Sequence, residues 1–166
     1  MKKIDLKNKK IDKIISIVFI AILLIALIIF IIIKSGPYNG LLNCTYKNNT
    51  NTMNTVLNYN LSFKNKNVTK LETEEIIESD DEELIKTYKE SIEELSKKYD
   101  GLKYYKTNIT NKNNKLIVKT TIEYNKIDMK KYLQIEGDQA YIKNNKLKVK
   151  KIKEIYEKNG ATCKYK

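Results

Sequence analysis

Hydrophobic positions are spaced in three ways along the chain. Residues 14–33 form an unbroken apolar run with no charge and one hydroxyl, Ser16. From Thr55 the spacing is two: Thr55, Leu57, Tyr59, Leu61 and Phe63 share one face, against Val56, Asn58, Asn60 and Ser62 on the other. Between Ser79 and Tyr99 the spacing is helical, with Ile85, Tyr88, Ile92, Leu95 and Tyr99 recurring at three and four residues. These periods predict, in turn, a span of about 30 Å, a half-buried strand and an amphipathic helix.

The same reading extends to the rest of the chain. Asn39 to Lys47 and Val68 to Glu78 read as the first and third strands, and Asn65, Lys66 and Asn67 supply the hairpin between the second and third. Ser79 with Glu82 reads as a capping box, and Gly101 as the stop after the helix. Leu102 to Thr110 and Leu116 to Tyr124 are two further strands. Asp128 to Leu133 reads as a short helical turn, Gln134 to Asn145 as irregular, and Lys148 to Lys158 as a second helix. Thr162, Cys163 and Lys164 can lie beside the first strand. The expected fold class is α+β. An N-terminal transmembrane helix precedes an antiparallel sheet in the order β-β-β-α-β-β-α, with helices packed on one face.

Charge orients the apolar run. Lys2, Lys3, Lys7, Lys9, Lys10 and Lys13 precede it, against Asp5 and Asp12, and Lys34 alone follows. The positive-inside rule puts the N-terminus in the cytoplasm. The expected organisation is a cytoplasmic tail over 1–13, a transmembrane helix over 14–33 that contacts the bilayer through Ile14 to Ile33, a linker over 34–40 and an extracytoplasmic domain over 41–166. A cleaved signal peptide is the competing reading. Its apolar core would be shorter, about 7–15 residues, and Phe30 to Lys34 is a poor cleavage context. Lipid attachment at Cys44 is disfavoured because Asn43 precedes it.

From Ser35 to Lys166 the chain carries 25 Lys against 18 Asp and Glu, a net charge of +7. There is no Arg, His or Trp, and Lys, Asn and Ile are abundant together, as in proteins encoded by AT-rich genomes. Only two cysteines occur, Cys44 and Cys163, at the two ends of the outer segment. Outside the membrane such thiols oxidise, and a Cys44–Cys163 disulfide in a structural role is expected. Free or metal-bound thiols are the alternatives, but no His or third Cys supports a metal site.

The absence of His removes Ser-His and Cys-His nucleophiles, and no glycine-rich phosphate loop is present. The acidic series Glu72, Glu74, Glu75, Glu78, Asp80, Asp81, Glu82 and Glu83 is the densest charge feature. Paired carboxylates of this kind can hydrolyse glycosides or bind calcium; it reads first as a solvated strand edge and a helix N-terminus. The outward lysines suit an anionic surface polymer, with solubility and codon bias as the plainer account. Tyr104, Tyr105 and Tyr165 fall on no stripe.

With the strands, helix and cysteines placed, several stretches together carry a resemblance. They are Cys44-Thr45, the hairpin Leu61 to Lys70, the helix ending near Tyr99, Leu116 to Tyr124 with Asn125 to Asp128, and Asn159 to Lys164. Over roughly residues 41–164 the chain resembles the YehR-like small lipoproteins of bacteria, especially their relatives in low-G+C Gram-positive species. The resemblance implies an α+β domain at the outer face of the cytoplasmic membrane with no assigned activity, and supplies no catalytic residue. Typical members are lipid-anchored, and this chain departs from them in its expected transmembrane anchor.

The expected function is a single-pass, membrane-anchored extracytoplasmic domain with a non-catalytic binding or envelope role. Its expected partners are the bilayer and either an anionic surface polymer or another membrane protein. No cofactor, metal or nucleic acid is expected. The alternatives are a carboxylate-dependent hydrolase of envelope glycan and a subunit of a membrane assembly.

Overall fold

The computed structural model describes residues 23–25, 36–137 and 142–166. The chain divides into two units, Met1–Gly36 and Pro37–Lys166. In the first, Leu23, Leu24 and Ile25 are helical and exposed.

The second unit begins with three long strands, β1 (Gly40–Asn49), β2 (Asn54–Lys64) and β3 (Asn67–Glu78), then helix α1 (Glu82–Lys97). Strands β4 (Tyr105–Lys112) and β5 (Lys115–Ile122) follow, then helix α2 (Met129–Glu136). A small hairpin, β6 (Ile142–Lys143) and β7 (Lys146–Leu147), leads to helix α3 (Val149–Lys158) and strand β8 (Thr162–Tyr165). Six strands form one antiparallel sheet in the order β4-β5-β3-β2-β1-β8.

The expected fold class is corrected on two counts. No helix among the described residues is long and apolar enough to cross a membrane. Of the run 14–33, only Leu23–Ile25 fall among the described residues, and the expected transmembrane helix otherwise lies outside them. The element order is also longer than β-β-β-α-β-β-α. Asp128 caps a true helix by accepting hydrogen bonds from the backbone N–H groups of Lys130 and Lys131, so α2 runs on to Glu136. The hairpin β6–β7 and the edge strand β8 complete the order.

Local chemistry explains these elements. Three two-residue hairpins use Asn65-Lys66, Asn113-Asn114 and Asn144-Asn145, all at positive φ. This primed turn suits the twist of paired strands, and Asn tolerates it without glycine. The N-cap of α1 is Asp81, whose carboxylate accepts from the backbone N–H groups of Glu83 and Leu84. Ser79 instead donates to the carbonyl of Thr52 at 2.6 Å, which ties the end of β3 to the β1–β2 turn. In β3, Ser62 pairs with Lys70 and Phe63 with Val68, leaving Thr69 as an extra residue. That bulge resets the alternation, so Leu71 and Val68 both face the core.

One sheet face carries the core. Register aligns Leu42, Leu61, Leu71, Ile122 and Tyr105 in one row, and Thr55, Ile77 and Leu116 in another. The first row belongs to a cluster with Met129, Tyr132, Val149 and Ile152 of α2 and α3. The second belongs to a separate cluster with Ile85 of α1, flanked by Tyr88 and Ile92. Leu95, expected on that helical stripe, is 53% exposed. The opposite sheet face carries Lys115–Glu78, Lys119–Glu74 and Lys70–Glu72 ion pairs. Exposed pairs of this kind contribute at most about 1 kcal/mol each.

Candidate functional site

The two core clusters leave a strip between them. α1 packs on β4 and β5, and α3 packs on β1 and β8. Between these helices, β2 and β3 present Leu57, Tyr59, Thr73 and Glu75, all half-buried. Register carries Tyr59, Thr73, Thr120 and Thr107 across four strands as a row of hydroxyls. Thr107 and Thr120 lie 3.3 Å apart, oxygen to oxygen. This polar row interrupts what is otherwise an apolar face.

Tyrosines flank this strip. Tyr59 stacks on Tyr156 of α3 with ring centroids 4.0 Å apart. Tyr46 lies against Gly160, where a Cβ would stand 3.5 Å from its ring. On the other side Tyr99 stacks on Tyr105 at 4.1 Å and donates a hydrogen bond to the Glu136 carboxylate at 2.5 Å. Burial pushes the Tyr99 hydroxyl up strongly, and the bond to Glu136 adds to the shift. Burial also raises Tyr59, followed by the negative charge of Glu75 and then Tyr46.

Glu75 is the one acidic residue on this face of β3. Glu72, Glu74 and Glu78 point to the opposite face, each in an ion pair with lysine. Glu75 has no ion-pair or hydrogen-bond partner among the described residues, and burial raises its pKa. The acidic series is therefore divided among separate tasks: pairing on the open face, capping at Asp81, and one inward carboxylate. Glu78 and Asp80 line a shallow hollow of about 320 Å³ with Thr50–Asn54 and Asn113–Lys115. No group of three or more His, Cys, Asp or Glu among the described residues is arranged to hold a metal.

The raised pKa of Glu75 has a thermodynamic consequence. A carboxyl whose folded pKa lies above its unfolded value binds more protons folded than unfolded, so stability falls as pH rises through that window. The penalty starts near pH 4.3, the usual glutamate value, and is complete above the raised one. Glu75→Gln is therefore expected to raise the melting temperature at pH 7 and to lose that advantage below about pH 4. Equal melting temperatures at pH 7 would refute the burial penalty.

The sequence held a signal for this residue. Thr73 and Glu75 occupy the same face of β3 as Leu71 and Ile77, so two polar side chains interrupt an apolar alternation. Of the tyrosines on no stripe, Tyr105 stacks on Tyr99, Tyr165 packs edge-on against Phe63 at 5.8 Å, and Tyr104 lies beneath the Lys126 ammonium at 5.5 Å.

The two cysteines meet as a disulfide across the antiparallel pair β1–β8, with Cα atoms 4.1 Å apart. Leu41 and Lys166 exchange both backbone hydrogen bonds. By alternation along the ladder, Cys44 and Cys163 form a non-hydrogen-bonded pair, the closer of the two cross-strand sites.

No protein-family model and no curated protein sequence matches the chain. Among solved structures, the chain is similar to the NMR structure of the Escherichia coli YehR protein. The TM-score is 0.54 at 18% identity, over 75% of this chain and 91% of that one. An NMR structure of a protein from Streptococcus pneumoniae TIGR4 gives a TM-score of 0.47 at 16% identity, over 78% of this chain and 88% of that one. The resemblance to YehR is thus found at the level of fold.

Proposed function

We propose that the unit Pro37–Lys166 works outside the cytoplasmic membrane as a non-catalytic binding domain of the cell envelope. The observation that carries this reading is the Cys44–Cys163 bond. Structural disulfides form and persist in oxidising compartments and are rare in the cytosol. A lysine-rich tail followed by the uncharged run of residues 14–33 supports export, with the basic flank retained on the cytoplasmic side. The half-buried strip between the two core clusters supports binding, because it sets hydroxyls and one inward carboxylate among tyrosines. The lysine-bearing outer surfaces suit an anionic polymer or a neighbouring membrane protein as the larger partner.

The test is thiol labelling of intact cells with a membrane-impermeant maleimide. Cys163, which is half-buried where Cys44 is buried, is expected to label only after an impermeant reductant is added, and without lysis. Labelling without reductant, or only after lysis, would overturn the reading.

A further inference from the structure

The unit Pro37–Lys166 carries opposite charge at the two ends of its central strands. β2 runs eleven residues from Asn54 to Lys64, about 33 Å of strand. At the Asn54 end, Ser79 is bonded to Thr52, and Asp80, Asp81, Glu82 and Glu83 follow it into the start of α1. At the Lys64 end, two hairpins meet. Asn67 forms a bridge with Lys148, and the Lys66 carbonyl accepts from the Val149 N–H at 3.1 Å. Lys64 and Lys66 of the β2–β3 hairpin thus lie with Lys146 and Lys148. None of these four lysines is in an ion pair among the described residues. Lys148 donates to the neutral side-chain oxygen of Asn67 at 2.8 Å, which leaves its charge uncompensated.

A hollow of about 340 Å³ lies at this basic end. Lys64 and Lys146 line it with Tyr124 and the buried Val68 and Leu147, and no Asp or Glu among the described residues does. The start of the unit is fixed here too. The Tyr38 carbonyl accepts from the Lys66 N–H at 2.8 Å, and the Asn39 side-chain oxygen accepts from the Asn65 N–H at 2.7 Å. Tyr38 itself is 59% exposed. Unpaired lysines around an exposed tyrosine fit the boundary of an anionic lipid surface, where lysines meet the headgroup charge and tyrosine rings sit at headgroup level. The uncharged run of residues 14–33 ends four residues before Pro37, so lipid that held this run would meet this end of the unit first. A second copy seated here through the same face would set lysine against lysine.

We propose that the end of the unit formed by the β2–β3 and β6–β7 hairpins docks on an anionic lipid surface. Lys64, Lys66, Lys146 and Lys148 lie over the headgroups, Tyr38 sits at the boundary, and the acidic start of α1 is held away. This rests on the reading of the unit as a domain outside the cytoplasmic membrane and names the surface that it meets there.

The experiment is amide NMR of the full chain in lipid nanodiscs with a nitroxide on a trace of the headgroups. One set of discs is phosphatidylcholine alone, and the other is phosphatidylcholine and phosphatidylglycerol in equal parts. In the anionic discs the nitroxide is expected to broaden Tyr38, Lys64, Lys66, Lys146 and Lys148, and to spare Asp81, Glu82 and Glu83. In phosphatidylcholine, or in the anionic discs at high salt, the broadening is expected to fade. Lys64→Gln with Lys146→Gln is expected to lower the docked-to-free ratio by about tenfold or more, since each lysine near an anionic surface contributes about fivefold. Lys86→Gln with Lys112→Gln, the same change of net charge on other elements, is expected to leave the ratio unchanged.

Equal broadening in the two kinds of disc would reduce the contact to tethering and overturn the proposal. So would broadening led by the acidic end, or equal losses in the two double variants. Signals at the basic end that shift with protein concentration in phosphatidylcholine discs would assign this face to a second copy and overturn it as well. The thiol-labelling test reads compartment and oxidation in cells, so its failure and failure in the discs are separate results.

Discussion

Replacing Cys44 and Cys163 together by alanine is expected to destabilise the domain by about 4–5 kcal/mol. The bond closes a loop of 119 residues. In the chain-entropy account, a cross-link of that span removes roughly this much free energy from the unfolded ensemble, by restricting it. The folded side adds a local reason. β8 is a four-residue edge strand that pairs only with β1, and short edge strands are marginal without further support. Cys44 is also 1% exposed within the larger cluster, so alanine avoids burying the hydroxyl that serine would bring.

Urea unfolding of the oxidised chain, the reduced chain and the double variant would measure the effect. The reduced chain and the variant should share a lowered midpoint. Both should show a steeper dependence on urea, because an unlinked unfolded chain exposes more surface. A midpoint within about 1 kcal/mol of the oxidised chain would mean that α3 and β8 hold the two ends without help.

How much of this was readable before the structure depends on the range of the interaction concerned. The alternation through Thr55 to Phe63 is local and strong, and β2 and its facing residues follow from it. Two cysteines with no third thiol and no His favoured a mutual pair over free or metal-bound thiols, and the pair is formed. Asp81 and Ser79 both suit an N-cap, and only the reach of Ser79 to the Thr52 carbonyl, 27 residues away, decides between them. Leu95 sits on the apolar stripe of α1 in sequence, yet it is left in solvent, because which part of a helix meets the sheet is a tertiary matter. Two-residue strands such as β6 and β7 carry too few side chains for any period to register. The polar strip was legible in part: Thr73 and Glu75 mark the break in β3, but the flanking Tyr46 and Tyr156 come from opposite ends of the domain.

That break also implies that the domain has two cores in place of one, and this carries the second large effect. Leu61 is 1% exposed and pairs with Leu42 and Leu71; Leu116 is fully buried and pairs with Ile77. Each Leu→Ala change is expected to cost about 2–5 kcal/mol, the transfer of the lost methyl groups plus the cavity they leave. The row through Leu61 meets β5 at Ile122, six residues from Leu116, or about 20 Å along a strand. The hydroxyl row of Tyr59, Thr73, Thr120 and Thr107 crosses the sheet between them. Sites so far apart with no shared partner add within about 0.5 kcal/mol. The double variant should therefore lose the sum of the two single losses in urea unfolding at low temperature. Hydrogen exchange should place the Leu116→Ala loss in β4, β5 and α1, and the Leu61→Ala loss in β1, β2 and α3. A coupling larger than about 1 kcal/mol would mean that packing runs unbroken past the hydroxyl row. The hydroxyl row would then be a polar seam within one continuous core.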